Sequence, residues 1–133
     1  MCNSAIYINQ SANPLVQPDD IIPLGTTIRR FGCDIKQDGN TVSLCDSGYY
    51  KVDVIVTATA SATDPLKVVL ERNGAAVIGG FAEVTPAAVG TQVVLPISVI
   101  VRDSCRSGDV ALAVRLENAE AKILNMTTVV EKL

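Results

Sequence analysis

Four cysteines, a cluster of acidic side chains and a short basic pair are the residues here whose chemistry could be more than structural. The cysteines are Cys2, Cys33, Cys45 and Cys105. Cys33 and Cys45 are symmetric about Gly39. If Asp38-Gly39-Asn40 is a three-residue hairpin loop, the two thiols face each other across a strand pair, where Cα atoms sit about 4.5–5.5 Å apart, within disulfide range. A two-residue loop shifts the register and separates them. A zinc site would need all four thiolates to converge, because the chain has no histidine and no C-x-x-C pair. A cysteine nucleophile needs a base, and nothing in the spacing singles one out, although Arg106 beside Cys105 would favour a thiolate. Asp34, Asp38, Asn40 and Asp46 carry the oxygens that calcium takes. Their spacing is not that of an EF-hand, and turn chemistry accounts for Asp38-Gly39-Asn40. No metal or other cofactor is expected. The sequon Asn125-Met126-Thr127 falls on an expected strand.

Composition narrows the function further. The absence of histidine removes the Ser-His and Cys-His nucleophile pairs and the commonest general base, so an enzyme is not expected. With 11 basic against 14 acidic residues the net charge is −3, and Arg29-Arg30 is too short a run to neutralise phosphates; nucleic acid is not an expected partner. No tryptophan and only five tyrosines and phenylalanines leave few stacking platforms. No stretch is long and apolar enough to suggest membrane insertion, and the start lacks a basic and apolar leader. These features together suggest synthesis in a cytosol. The mass of 14.0 kDa fits one domain exposing roughly 6,700 Å².

Abundant Val, Ile and Thr favour strands. Residues 1–24 are punctuated by Pro14, Pro18 and Pro23 and read as an extended arm containing one short strand, Ser4 to Asn9. Such an arm could lie on a neighbouring subunit or a capsid. Residues 25–133 read as the domain. Gly48 to Ala60 is the strongest strand, with Tyr50, Val52, Val54, Val56 and Ala58 on one face. Leu66 to Arg72 leads into Asn73-Gly74, the pair a type I′ hairpin demands. Thr91 to Asp103 and Gly108 to Glu117 alternate in the same way, with Pro96 requiring a sheet edge. Ala121 to Glu131 is the last strand. Strands joined by short turns, with no helical periodicity, predict an all-β sandwich or barrel.

The outward faces are unusually apolar. Tyr49 and Ile55 lie opposite the core face of their strand, as do Ala111 and Ala113 on theirs. Strict alternation on the last strand groups Ile123 with Asn125, Thr127 and Val129. Strands read this way when both sheet faces are covered. Tyr49, Ile55, Ala111, Ala113, Ile123, Asn125 and Val129 are therefore the expected contacts between copies, with Asp53 and Arg115 placed to pair across them.

The order of these signals resembles the jelly rolls of the tumour-necrosis-factor and complement-head type, as found in bacterial spore-surface and phage structural proteins. The matching residues are Gly48, Tyr50 and Val52, then Leu66 to Leu70 with Asn73-Gly74, then Ser107-Gly108-Asp109-Val110-Ala111-Leu112, and a terminal strand ending at Leu133. The resemblance implies a ten-strand antiparallel jelly-roll sandwich, trimeric about a three-fold axis, used for binding or display and not for catalysis. Without a Gly-X-Y stalk or a leader, the version it implies is a virion component: a capsid decoration, head-fibre or tail protein docked on another virion protein. The alternative is a receptor- or carbohydrate-binding adhesin on a cell or spore surface. Its glycan would sit on a loop such as Gly80 to Gly90, with Phe81, Glu83 and Thr85, or Ala60 to Asp64.

Overall fold

A computed structural model of the chain describes residues 4–103 and 110–133. In chain order the strands are β1 (Ala5–Gln10), β2 (Leu15–Val16), β3 (Thr26–Phe31), β4 (Ile35–Asp38), β5 (Thr41–Leu44) and β6 (Gly48–Ala60). They continue as β7 (Leu66–Arg72), β8 (Ala75–Val84), β9 (Gln92–Asp103), β10 (Val110–Glu117) and β11 (Ala121–Lys132). One sheet runs β3-β1-β11-β6-β9, with β2 added beside β11; the other runs β4-β5-β10-β7-β8. Every pairing is antiparallel. Among the described residues the fold is a jelly-roll sandwich of eleven strands, where the resemblance implies ten; the shortest is the two-residue β2, which pairs with Ala121 and Lys122.

The alternation read from the sequence builds the core. Tyr50, Val52, Val54, Val56 and Ala58 of β6 all point inward, and none is more than 1 % exposed. They meet Val110, Leu112, Val114 and Leu116 of β10 and Leu66, Val68 and Leu70 of β7 from the opposite sheet. Apolar area of this extent, removed from water between two pleated faces, is the main driving force for the fold. Pro96 lies on β9, the end strand of its sheet, where its missing N–H costs no ladder bond.

The stretch expected as an arm is woven into this sandwich. Ile6, Ile8, Val16, Ile22 and Leu24 all belong to the core. The chain crosses from β2 to the second sheet, where Ile22 N–H donates to Val114 O at 2.8 Å and Leu116 N–H to Asp20 O at 3.0 Å. The segment thus continues the β5 side of β10 where the β5 pairing stops at Val42.

Two local features reset the register. The β4–β5 turn pairs Asp38 with Thr41, so its loop is Gly39-Asn40, two residues long. Positive φ falls on Gly39 (61°) as the first central residue, as in a type II′ turn. The resulting register sets Cys45 opposite Asp34, whose carbonyl accepts the Cys45 N–H at 2.8 Å. The Cys33–Cys45 disulfide that a three-residue loop would allow is therefore not formed, and Cys33 Sγ lies 3.5 Å from Asp34 Oδ1. Cys2 and Cys105 lie outside the described residues, as does the Ser107-Gly108-Asp109 part of the motif before β10.

The second feature is a β-bulge in β11. Ile123 faces Ala58 and Asn125 faces Thr57, leaving Leu124 as the extra residue. Alternation slips by one at that point. Ala121 and Ile123 point inward on one side of the bulge; Met126 and Val130 do so on the other.

Candidate functional site

The outer face of the six-stranded sheet is where exposed apolar side chains collect. The register lays them out in cross-strand rows. One row runs Phe31, Ala5, Glu131, Lys51 and Ile100; the next runs Arg29, Tyr7, Val129, Asp53 and Ser98. Thr127, Ile55 and Pro96 form a third, and Asn125, Thr57 and Val94 a fourth. Tyr49 lies beyond the first row, opposite Arg102. Phe31 is 60 % exposed, Tyr49 54 %, Ile55 46 %, Val94 58 % and Ile100 59 %. Large apolar side chains spread across four strands of one face are unusual on a soluble monomer. At the β1–β3 margin, Ala5, Tyr7, Arg29, Phe31 and Val129 line a depression of about 100 Å³.

Several polar side chains on this face already have partners. Asn9 Nδ2 donates to Asn125 Oδ1 at 2.9 Å, and Ser11 Oγ donates to Asn9 Oδ1 at 2.7 Å. Asn125 Nδ2 reaches Thr127 Oγ1 at 3.4 Å. Ser98 Oγ donates to Asp53 Oδ1 at 2.7 Å, with Lys51 Nζ 3.9 Å from the other carboxylate oxygen. Groups satisfied within one copy can be covered by another without leaving unpaired donors or acceptors.

The structure divides the expected contact residues. Tyr49, Ile55, Asn125 and Val129 share this face. Ile123 does not: it is 0 % exposed, turned into the core by the bulge at Leu124, which the period-2 reading of β11 could not see. Ala111 and Ala113 lie on the outer face of the other sheet, on the far side of the sandwich. There Ala111 N–H donates to Asn73 Oδ1 at 2.8 Å, and Ala113 faces Glu71. Arg115 pairs with Glu71 at 3.0 Å within the same subunit and also donates to the carbonyl of Asp19. It is thus two layers away from Asp53. One flat contact cannot hold both groups. Tyr7, Phe31, Val94 and Ile100 belong to the apolar face and were missed. The signal for Val94 and Ile100 was available, since both are out of phase with the core residues of β9.

The expected ligand loop is also displaced. Phe81 and Glu83 lie on β8, a strand that continues to Val84, and only Thr85 falls in the following loop. Phe81 is opposite Val69, and Lys67 Nζ sits over its ring at 4.9 Å. One ring face is thus occupied by a cation where a sugar would stack. Between Ala76 and Phe81 the strand loops out: Val69 pairs with Phe81 and Glu71 with Ala76, so one residue of β7 faces four of β8. Gly79 supplies a positive φ of 76° there, and Ile78 at the tip is 99 % exposed.

Asp34 and Asp46 do come together, as the calcium reading would require, but around Lys132. Its Nζ donates to Asp46 Oδ2 at 2.8 Å and to Asp34 Oδ2 at 3.1 Å. The hydrogen bond from Lys132, helped by that from Ser47 N–H, holds the Asp46 carboxyl below its ordinary range. Hydrogen bonds to Asp46 and Asp34 raise the Lys132 ammonium above its ordinary value. Burial raises the Tyr50 phenol, whose hydroxyl donates to Asp46 O at 2.7 Å. The cluster ties the end of β11 to the β5–β6 turn. Asp38 and Asn40 sit apart, in the β4–β5 turn.

No family model and no curated protein matches the sequence. Solved structures do match, over nearly the whole chain. Eiger TNF from S. frugiperda superposes with a TM-score of 0.72 at 15 % identity, covering 99 % of this chain and 92 % of that one. The globular domain of zebrafish complement 1qA gives 0.71 at 9 %, covering 97 % and 94 %. The PRD1 vertex protein P5 gives 0.68 at 10 %, covering 100 % and 99 %. The fold is a jelly roll of the tumour-necrosis-factor type.

Proposed function

We propose that this chain is a non-enzymatic structural and display module that acts by assembling with copies of itself into a homotrimer. The observation that carries the reading is the exposed apolar outer face of the six-stranded sheet, with Tyr7, Phe31, Tyr49, Ile55, Val94 and Ile100. Covering about 1,000 Å² of apolar area on such faces would stabilise the assembly by up to roughly 25 kcal/mol before association entropy is subtracted. Separated subunits would then be a minor species. The likeness to a vertex protein supports a place in a virion, docked on another virion protein. Fold alone does not assign that place.

The native mass of the purified chain tests the assembly. A stable species near three times 14.0 kDa is expected. A monomer at micromolar concentration overturns the reading. Copurification with isolated particles, against a capsid-free control, tests the virion role separately.

A further inference from the structure

At one margin of the apolar face lies a socket, and at the opposite margin the chain carries a peg. The socket is the depression of about 100 Å³ between β1 and β3, walled by Ala5, Ile6, Tyr7, Arg29, Phe31 and Val129. An apolar cavity of about 150 Å³ holds benzene, so a single branched aliphatic side chain suits this smaller one. The peg is Ile78 of β8, 99 % exposed at the tip of the loop-out between Ala76 and Phe81.

Single wetted apolar side chains are ordinary on protein surfaces. Ile78 differs in how it is held and in where it stands. Gly79 turns the chain with a φ of 76°. Gly80 is buried beneath the tip, where an added Cβ would lie 3.1 Å from Val77 Cβ and 3.2 Å from Leu70 Cβ. The base of the loop-out is thus packed down while its tip projects. Its level along the strands matches that of the socket. Val77, next to Ile78, borders the same groove between β8 and β9 as Ile100. Ile100 in turn shares a cross-strand row with Ala5 and Phe31 of the socket. In the sheet order β3-β1-β11-β6-β9 the socket lies at the β3 end and the peg beside the β9 end. A closed ring of three needs such a pair. Its contacts run head to tail, so each copy must offer two different, complementary patches. Rotation about an axis along the strands brings the peg of one copy towards the socket of the next with no shift in level.

We propose that Ile78 of one copy seats in the β1–β3 depression of the next and so locks neighbouring copies together. This inference rests on the self-assembly proposed above and names the side chains that fix it.

The test is sedimentation velocity of the full chain and its variants across a dilution series. Ile78→Ala removes the peg and should move dissociation to a protein concentration higher by about tenfold or more. Its fold by circular dichroism should be unchanged, since the side chain it loses is fully exposed. Ala5→Leu fills the socket and should weaken assembly to a similar degree. In the double variant the shortened peg meets the filled socket, so the loss should fall well short of the product of the two single effects. Val129→Ala, which widens the socket instead, replaces Ala5→Leu in this cycle if that variant does not fold. An Ile78→Ala chain that dissociates like the parent overturns the proposal and leaves self-assembly standing. Single effects that simply multiply in the double variant do the same. A parent chain that is monomeric throughout the series overturns both readings.

Discussion

Tyr49 and Tyr50 are adjacent in β6 and opposite in environment: Tyr49 is 54 % exposed on the outer face, and Tyr50 is 0 % exposed in the core. The Tyr50 hydroxyl donates to Asp46 O at 2.7 Å, so even its polar atom is used within the subunit. The same substitution should therefore do two different things. Tyr49→Asp puts a charge into the proposed contact between copies, and should yield a folded monomer by native mass. Tyr50→Asp buries a carboxylate among Val and Leu side chains, a cost of several kcal/mol, and should abolish cooperative unfolding by circular dichroism. The reverse pattern would mean that β6 is out of phase by one residue.

The bulge at Leu124 carries a prediction of its own. Deleting Leu124 removes the extra residue, so Ile123 and Asn125 become neighbours opposite Ala58 and Thr57, and Ala121 and Ile123 share one phase with Met126 and Val130. The deletion should therefore keep the urea midpoint close to that of the parent chain. Deleting Thr127 instead removes one residue from a stretch that keeps a single phase, so Met126 and Val130 can no longer both point inward; turning one of them out forfeits about 1.5–3 kcal/mol and should lower the midpoint accordingly. A midpoint lowered as far by the Leu124 deletion as by the Thr127 deletion would show that Leu124 is not the extra residue.

That bulge also marks where sequence reading stops. Period-2 alternation located β6, β9 and β10 and their inward residues, because each of these strands keeps one phase throughout. Asn73-Gly74 located the β7–β8 turn, with φ of 52° and 84°, because both positions require a left-handed backbone. Nothing in Lys122-Ile123-Leu124-Asn125 announces an extra residue, since both candidate faces are apolar there. Phe81 read as a loop residue because Gly79 and Gly80 look like a strand end, whereas the structure uses them to loop out and resume. The partition of Tyr49 and Ile55 from Ala111 and Ala113 depends on sheet membership. Strand order across a sandwich is a long-range property that no local pattern encodes. The Asp34–Lys132–Asp46 cluster was invisible for the same reason: its members are 98 and 86 residues apart.

Lys132 should make stability depend on acid. The Asp46 carboxyl is held below 3.8 in the folded chain by its hydrogen bond from Lys132. A carboxyl depressed on folding contributes stability that is present above its unfolded value and lost as pH falls through the folded one. The Lys132–Asp46 contribution is therefore complete at neutral pH and declines below about pH 4. Raising the pH within the neutral range leaves it intact, because the ammonium is shifted upward. Lys132→Met removes the cation and leaves Asp34, whose side chain is only 9 % exposed, without it. Thermal melts of this variant at pH 7 should show a Tm lowered by a few degrees. Part of the difference from the parent chain should vanish as the pH falls through the lowered value of the Asp46 carboxyl. A constant difference across that range would show that Lys132 acts through packing alone.

The division of the expected contacts between two faces can be resolved by placing the same polar side chain on each. Ile55 lies at the middle of the apolar face, between Thr127 and Pro96. Ala111 lies on the opposite outer face, between Ser43 and the Asn73 turn. Both positions are at least partly open to solvent, so glutamine fits either without entering the core. Ile55→Gln removes apolar area that the assembled state would cover, and adds an amide that a dry contact would leave unpaired, at about 1–3 kcal/mol per copy. Its dissociation should shift to higher protein concentration by about tenfold or more, read by sedimentation velocity across a dilution series. Ala111→Gln should leave the sedimentation profile of the parent chain unchanged, and both variants should unfold within about 1 kcal/mol of it once dissociated. If Ala111→Gln dissociates the protein and Ile55→Gln does not, copies meet through the β4-β5-β10-β7-β8 sheet, and the apolar face of the six-stranded sheet must be covered by something else.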